Sequence, residues 1–166
     1  MSELKDIMLR SPRLTLSVAE SLTCGRLQAR IGTISGASDF FLGGVTAYTL
    51  DQKVRHLGVD RAEAEAADGV SARIAEQMAR GACALFGSDV AAATTGYAEP
   101  YAERNVDEPF AWWGLARRLP GGGFDVHSGR VDCTGLSRVG AQERAAQAAY
   151  DALVVWVRGP AAARTP

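Results

Sequence analysis

The passage from Leu14 to Ile31 constrains this chain more than any other stretch, because the spacing of its apolar residues changes period within a few positions. Leu14, Leu16 and Val18 alternate with Thr15 and Ser17, the two-residue repeat of a strand. After Ala19-Glu20-Ser21 the repeat becomes helical, and a helix over Leu22 to Ile31 puts Leu27 and Ile31 on one face. A strand, a tight turn and a helix follow one another.

The remainder extends the alternation. A short helix over residues 3 to 10 buries Leu4, Ile7 and Met8, and Ser11-Pro12 ends it because proline restricts the residue before it. Phe40 to Tyr48 has the aromatic and β-branched content of a strand, and Gly43-Gly44 marks a bulge or a close backbone approach within it. Asp51 is placed to cap a short helix ending at Gly58. A longer helix after Ser71 sets Ile74, Met78, Ala82 and Leu85 on one stripe and stops at Gly87. Val90 to Thr95 is a continuous apolar run, as in a strand covered on both faces. Ala111 to Leu119 and Phe124 to Val131 flank Pro120-Gly121-Gly122-Gly123 as a hairpin, and Ser137 to Val157 closes the chain as a helix with Val139, Ala146, Tyr150, Leu153 and Val157 on one face. No repeat or low-complexity block interrupts this order. The predicted fold class is α/β, a three-layer sandwich in which a mixed sheet carries helices on both faces. With 166 residues, 47% of them hydrophobic, one domain over residues 1–158 is expected, with a flexible C-terminal tail over 159–166.

Charge and cysteine content remove several functional classes. Lys plus Arg total 18 against 19 for Asp plus Glu, so no basic field exists for nucleic acid or an anionic membrane, and a small-molecule substrate is the expected partner. Cys24, Cys83 and Cys133 form no C-x-x-C pair, which points away from a disulfide framework or a metal site and towards a reducing compartment. Met1 to Asp6 is charged and lacks an apolar signal core, and no apolar run reaches bilayer length, so a cytoplasmic location is expected.

The turn Ala19-Glu20-Ser21-Leu22-Thr23-Cys24-Gly25 lies where ligands gather in open α/β sheets, at a strand end beside unpaired helix amides. A serine hydroxyl there attacks a carbonyl while neighbouring N–H groups receive the oxyanion; equally, Ser21 or Thr23 serves only as a helix cap. Neither His56 nor His127 has a context that recommends it as a base. Lys53, five residues after Tyr48, fills that role if burial depresses its pKa, with Tyr48 relaying or orienting the proton; a solvated lysine on an amphipathic helix is the alternative.

Several spaced segments carry a family resemblance: Ala19-Glu20-Ser21-x-Thr23-x-Gly25, Phe41-x-x-Gly44-x-x-x-Tyr48-x-x-x-x-Lys53, Leu57-Gly58-Val59, Val70-Ser71, Met78-Ala79-x-Gly81-Ala82 and Thr95-Gly96-x-Ala98-x-Pro100. Their order resembles the signature of the CinA carboxy-terminal domain from about Leu14 to Val157. That resemblance implies an amidohydrolase that converts the carboxamide of nicotinamide mononucleotide to the acid and ammonia, with no metal or other cofactor, in a homo-oligomer. It implies Ser21 as nucleophile, Lys53 as base and Tyr48 in support, with Thr23, Cys24, Gly25, Thr95, Gly96 and Arg138 around the substrate.

The pattern also breaks in two places. Cys24 stands where the family usually has a glycine, beside a helix N-terminus that stabilises a thiolate. From Tyr97 to Trp113 the family's glycine-rich loop is replaced by a segment bearing Glu99, Glu103, Asp107 and Glu108, with Arg104 alone to oppose them. Such a loop repels phosphate if it faces the site, and is a solvated surface otherwise. Trp112 and Trp113 are expected to pack on the sheet. Three functions follow: the amidase on nicotinamide mononucleotide, an amidase on a carboxamide without phosphate, and an inactive relative that binds a nucleotide or metabolite.

Overall fold

The computed structural model describes residues 3–159, so the expected tail over 159–166, apart from Gly159, lies outside the described residues. Six helices and five strands carry the fold: α1 Glu3–Met8, β1 Leu16–Glu20, α2 Arg26–Gly32, β2 Phe41–Thr46, α3 Leu50–Leu57, α4 Arg61–Ala66, α5 Ala72–Phe86, β3 Val90–Tyr97, β4 Phe110–Arg118, β5 Phe124–Asp132 and α6 Arg138–Arg158. The strands form one sheet in the order β2-β1-β3-β4-β5. β1 runs parallel to both neighbours, while β4 is antiparallel to β3 and β5. The mixed sheet and helices on both faces give the α/β sandwich expected.

Parity along the strands divides the core. Leu16, Val18, Val90, Ala92 and Leu115 face α1, α2 and α6, packing with Leu4, Ile7, Met8, Leu27, Ile31, Leu153 and Val157. Ala19, Ala91, Ala93 and Ala116 face the other way, against Leu57, Ala64, Ile74, Met78 and Ala82 of α3, α4 and α5. Each strand residue therefore belongs to one layer or the other, which is why β1 is buried along its whole length. Small residues on the second face let α5 lie close to the sheet. A Cβ added to Gly81 would stand 2.1 Å from the Leu57 carbonyl oxygen, so glycine is what allows α5 and α3 to touch backbone to backbone.

Several local expectations need correction. Thr49 rather than Asp51 precedes α3 as its cap residue, and Asp51 lies in the first turn. Leu85 and Val139 are half or more exposed and lie off the stripes assigned to them; Ala75, Ala79 and Cys83 of α5, and Ala141 and Ala145 of α6, are buried in addition to the expected residues. Helix α4, whose sequence Arg-Ala-Glu-Ala-Glu-Ala buries only Ala64, carries no apolar stripe and escapes the periodicity reading; Asp60 caps it by accepting from the Glu63 N–H at 2.8 Å. The irregularity in β2 falls one residue before Gly43-Gly44: Leu16 pairs with Phe41 and Ser17 with Gly43, which leaves Leu42 as the extra residue. Trp113 packs against two of the apolar clusters.

Candidate active site at the carboxyl ends of the central strands

The three strand ends that matter belong to β1, β2 and β3. β1 delivers Ser21 immediately after its last residue, the chain after β2 delivers Tyr48, and β3 carries Thr95 and Gly96 near its end. Lys53 is the fourth residue of α3, and its side chain reaches back towards the sheet. Ser21, Tyr48, Lys53, Gly96 and Arg138 line one cavity of about 310 Å³, together with Leu22, Asp68, Val70 and the segment Tyr97 to Tyr101.

Glu20 organises the turn that holds Ser21. Its carboxylate is fully buried and accepts from the Thr23 hydroxyl at 2.5 Å and from the N–H groups of Gly25, Leu27 and Gln28 at 3.0, 3.1 and 2.9 Å. The free amides of the α2 N-terminus are thus satisfied by Glu20, and neither Ser21 nor Thr23 caps that helix. Because the Thr23 hydroxyl proton goes to Glu20, its 2.7 Å contact with Thr94 Oγ1 has Thr94 donating. Thr23 is buried behind the cavity and Gly25 supports the turn at φ 95°, while Cys24 is exposed and holds the left-handed region at φ 49°. Glu20 stands in the motif that carries the family resemblance, but the sequence assigns it no role, because its distance from Gly25 to Gln28 becomes short only once the turn is formed.

Among the amides from Ser21 to Gln28, those of Leu22 and Thr23 make no hydrogen bond within the described residues, and Leu22 lines the cavity. The Ser21 hydroxyl donates to the Tyr48 carbonyl oxygen at 3.3 Å. The backbone of Tyr48 therefore meets Ser21, whereas its phenol lies further out, half exposed, accepting from Arg138 Nη2 at 2.8 Å.

Lys53 is 3% exposed. Its Nζ donates to the Gly69 carbonyl and to Thr95 Oγ1, both at 3.0 Å, and Thr95 Oγ1 donates in turn to Gly69 O at 2.7 Å. Burial lowers the Lys53 pKa to about 8, with the Asp68 carboxylate opposing the shift. A neutral amine has two N–H donors and one lone pair. Gly69 and Thr95 accept both donors, so the lone pair is left for an incoming proton. No hydrogen bond joins Lys53 Nζ to Ser21 Oγ; both groups open onto the same cavity.

The segment after β3 covers the mouth. Tyr97 donates to Asp68 Oδ2 at 2.8 Å, and Arg104 pairs with Asp68 Oδ1 at 2.9 Å. Arg104 is thereby committed to Asp68 and opposes none of the four acidic residues of its own segment. Glu99 accepts from Arg138 Nη1 at 2.5 Å, and Glu103 accepts from the Tyr101 hydroxyl at 3.1 Å. Arg138 is the first residue of α6, and Ser137 caps that helix by accepting from the Gly140 N–H. No cluster of His, Cys, Asp and Glu suited to a metal ion occurs among the described residues, and none of their helices is long and apolar enough to cross a membrane.

Comparison with known proteins agrees with this architecture. The family described as the CinA C-terminal domain matches residues 2–156. A CinA-like protein of Chlorobaculum tepidum is 40% identical over 126 residues, covering 74% of this chain and 29% of that protein. A CinA-like protein of Chlorobium phaeobacteroides is 38% identical over 121 residues, covering 72% of this chain and 28% of that one. The chain therefore spans less than a third of the length of these relatives. The crystal structure of a competence-damaged protein (CinA) superfamily protein from Enterobacter cloacae superposes with a TM-score of 0.84 at 24% identity, over 93% of this chain and 88% of that one. The competence damage-inducible protein A from Klebsiella pneumoniae gives 0.83 at 24% identity, over 94% and 93%. At that identity the two structures speak for the fold.

Proposed function

The chain belongs to the CinA C-terminal domain family, and from that premise we propose that it is a serine–lysine amidohydrolase acting on a pyridine carboxamide. Nicotinamide mononucleotide is the reference substrate that the family resemblance supplies. The observation that carries the reading is Lys53: a buried lysine whose two donors are occupied and whose pKa is depressed towards neutrality, opening onto the cavity that also receives Ser21.

In this reading neutral Lys53 takes the Ser21 hydroxyl proton as Ser21 Oγ attacks the carboxamide carbon. The Leu22 N–H receives the developing oxyanion. Collapse breaks the C–N bond, and Lys53 returns its proton to the departing nitrogen, which leaves as ammonia. Water, deprotonated by Lys53, then attacks the acyl-serine ester and releases the acid and free Ser21. Thr95 acts as a positioning residue, since its own proton is fixed on Gly69 and its oxygen holds the amine. The Tyr48 carbonyl holds the serine hydroxyl in the resting site.

One observation favours a second reading, a relative that binds its ligand without turnover: the Ser21 hydroxyl is bonded to the Tyr48 carbonyl rather than to Lys53. Ammonia release from nicotinamide mononucleotide and other pyridine carboxamides separates the two. The amidase reading expects release that falls by at least about a hundredfold in both Ser21→Ala and Lys53→Ala. Saturable binding with no ammonia from any carboxamide, or activity that survives both substitutions, decides for the second.

A further inference from the structure

The charged groups of the cavity are distributed in a way that bears on its ligand. Arg138 is the cation nearest the mouth, and both arms of its guanidinium are engaged, Nη1 by Glu99 and Nη2 by the Tyr48 hydroxyl. Lys53 lies deep and is held by Gly69 and Thr95. The other charged lining residue is Asp68, whose carboxylate is already shared between Tyr97 and Arg104. Glu99 and Asp68 therefore match the two lining cations one for one.

Resting on the amidase reading of this cavity, we propose that Glu99 is a specificity-determining residue that selects a carboxamide carrying no phosphate. A phosphate binds an arginine through the same parallel N–H pair that Glu99 now occupies in part. An entering phosphate has to displace Glu99 from Arg138 and then sit beside the released carboxylate. The pair is half exposed, so the discrimination is a matter of about threefold to tenfold rather than complete exclusion. A phosphate-free ring meets no such competition. Tyr97 and Tyr101, in tilted contact with each other at 6.1 Å between ring centres, line the cavity beside it, and the nearby carboxylates suit a cationic pyridinium.

The test uses nicotinamide riboside and its 5′-phosphate, nicotinamide mononucleotide, titrated calorimetrically into the Ser21→Ala protein so that binding is read without turnover. The expected result is tighter binding of the riboside by about threefold to tenfold. In Ser21→Ala/Glu99→Gln, affinity for the mononucleotide rises by a similar factor and affinity for the riboside stays within about twofold. Tighter binding of the mononucleotide with Glu99 present, an equal response of both ligands to Glu99→Gln, or binding of neither overturns the proposal. Turnover by the unsubstituted chain is scored separately. A protein that hydrolyses neither compound yet shows the binding split retains the selectivity and loses the amidase reading; one whose kcat/KM is higher for the mononucleotide retains the amidase and loses the selectivity.

Discussion

Lys53 depends on its surroundings for any reactivity, since an amine with an ordinary pKa of 10.5 is protonated at neutral pH and has no lone pair to offer. Burial lowers that value to about 8, so the reactive neutral form grows as pH rises through 8. The expected kcat/KM for carboxamide hydrolysis therefore climbs about tenfold per pH unit below 8 and levels off above it, and a pH–rate profile checks this. Thr95→Val removes one of the two acceptors on the amine and is expected to shift the inflection while Ser21 stays in place. Cys24 shows a different residue-scale effect. It holds a left-handed backbone, where a side chain costs about 1 kcal/mol relative to glycine. Cys24→Gly is expected to raise stability by about 0.5–1 kcal/mol in urea unfolding. The glycine that the family resemblance anticipates at this position thus has a conformational reason, independent of any contact with substrate.

Elements are placed by contacts that short motifs hint at without explaining. Gly81 lies within Met78-Ala79-x-Gly81-Ala82, and its lack of a side chain lets α5 meet the backbone of α3, the helix that bears Lys53. Gly81→Ala is expected to force the two helices apart, to destabilise by about 1–3 kcal/mol, and to reduce hydrolysis by more than the fraction unfolded, measured by denaturation and activity on one preparation. α2 begins where Glu20 can accept from its cap residue Gly25 and from Leu27 and Gln28 in its first turn, so the strand end and the helix start are fixed by the same carboxylate. Periodicity located the apolar faces of α1, α5 and α6 but missed α4, and it extended α2 backwards over Leu22 to Gly25. Those residues form a turn in which the Gly25 N–H donates to the Glu20 carboxylate and the Cys24 N–H to the Ser21 carbonyl, and apolar spacing carries no information about that.

Across the whole molecule the buried charge of Lys53 sets itself against stability. Below pH 8 the folded and unfolded chains both carry the proton, and the fold bears the full cost of the buried ammonium, about 3 kcal/mol. Between about 8 and 10.5 the unfolded chain binds the extra proton, so this residue's contribution to stability improves as pH rises. Lys53→Met is expected to be more stable than the parent by about 1–2 kcal/mol at pH 7, after allowance for two lost hydrogen bonds, with the gap closing by pH 10 in paired thermal melts. Hydrophobic period and turn residues were enough to determine the α/β class, the order of nearly every element and the late hairpin, because burial of apolar faces is a local demand written into spacing, whereas Ser21, Tyr48 and Lys53 stood out as a set through the family resemblance. The tertiary structure alone decided that Glu20 holds the Ser21 turn, that Gly69 and Thr95 hold the lysine, and that Glu99 meets Arg138 across the cavity mouth. Those are polar contacts between residues up to 42 positions apart, which have no periodic signature and come within hydrogen-bond distance only after the sheet has brought its strand ends together.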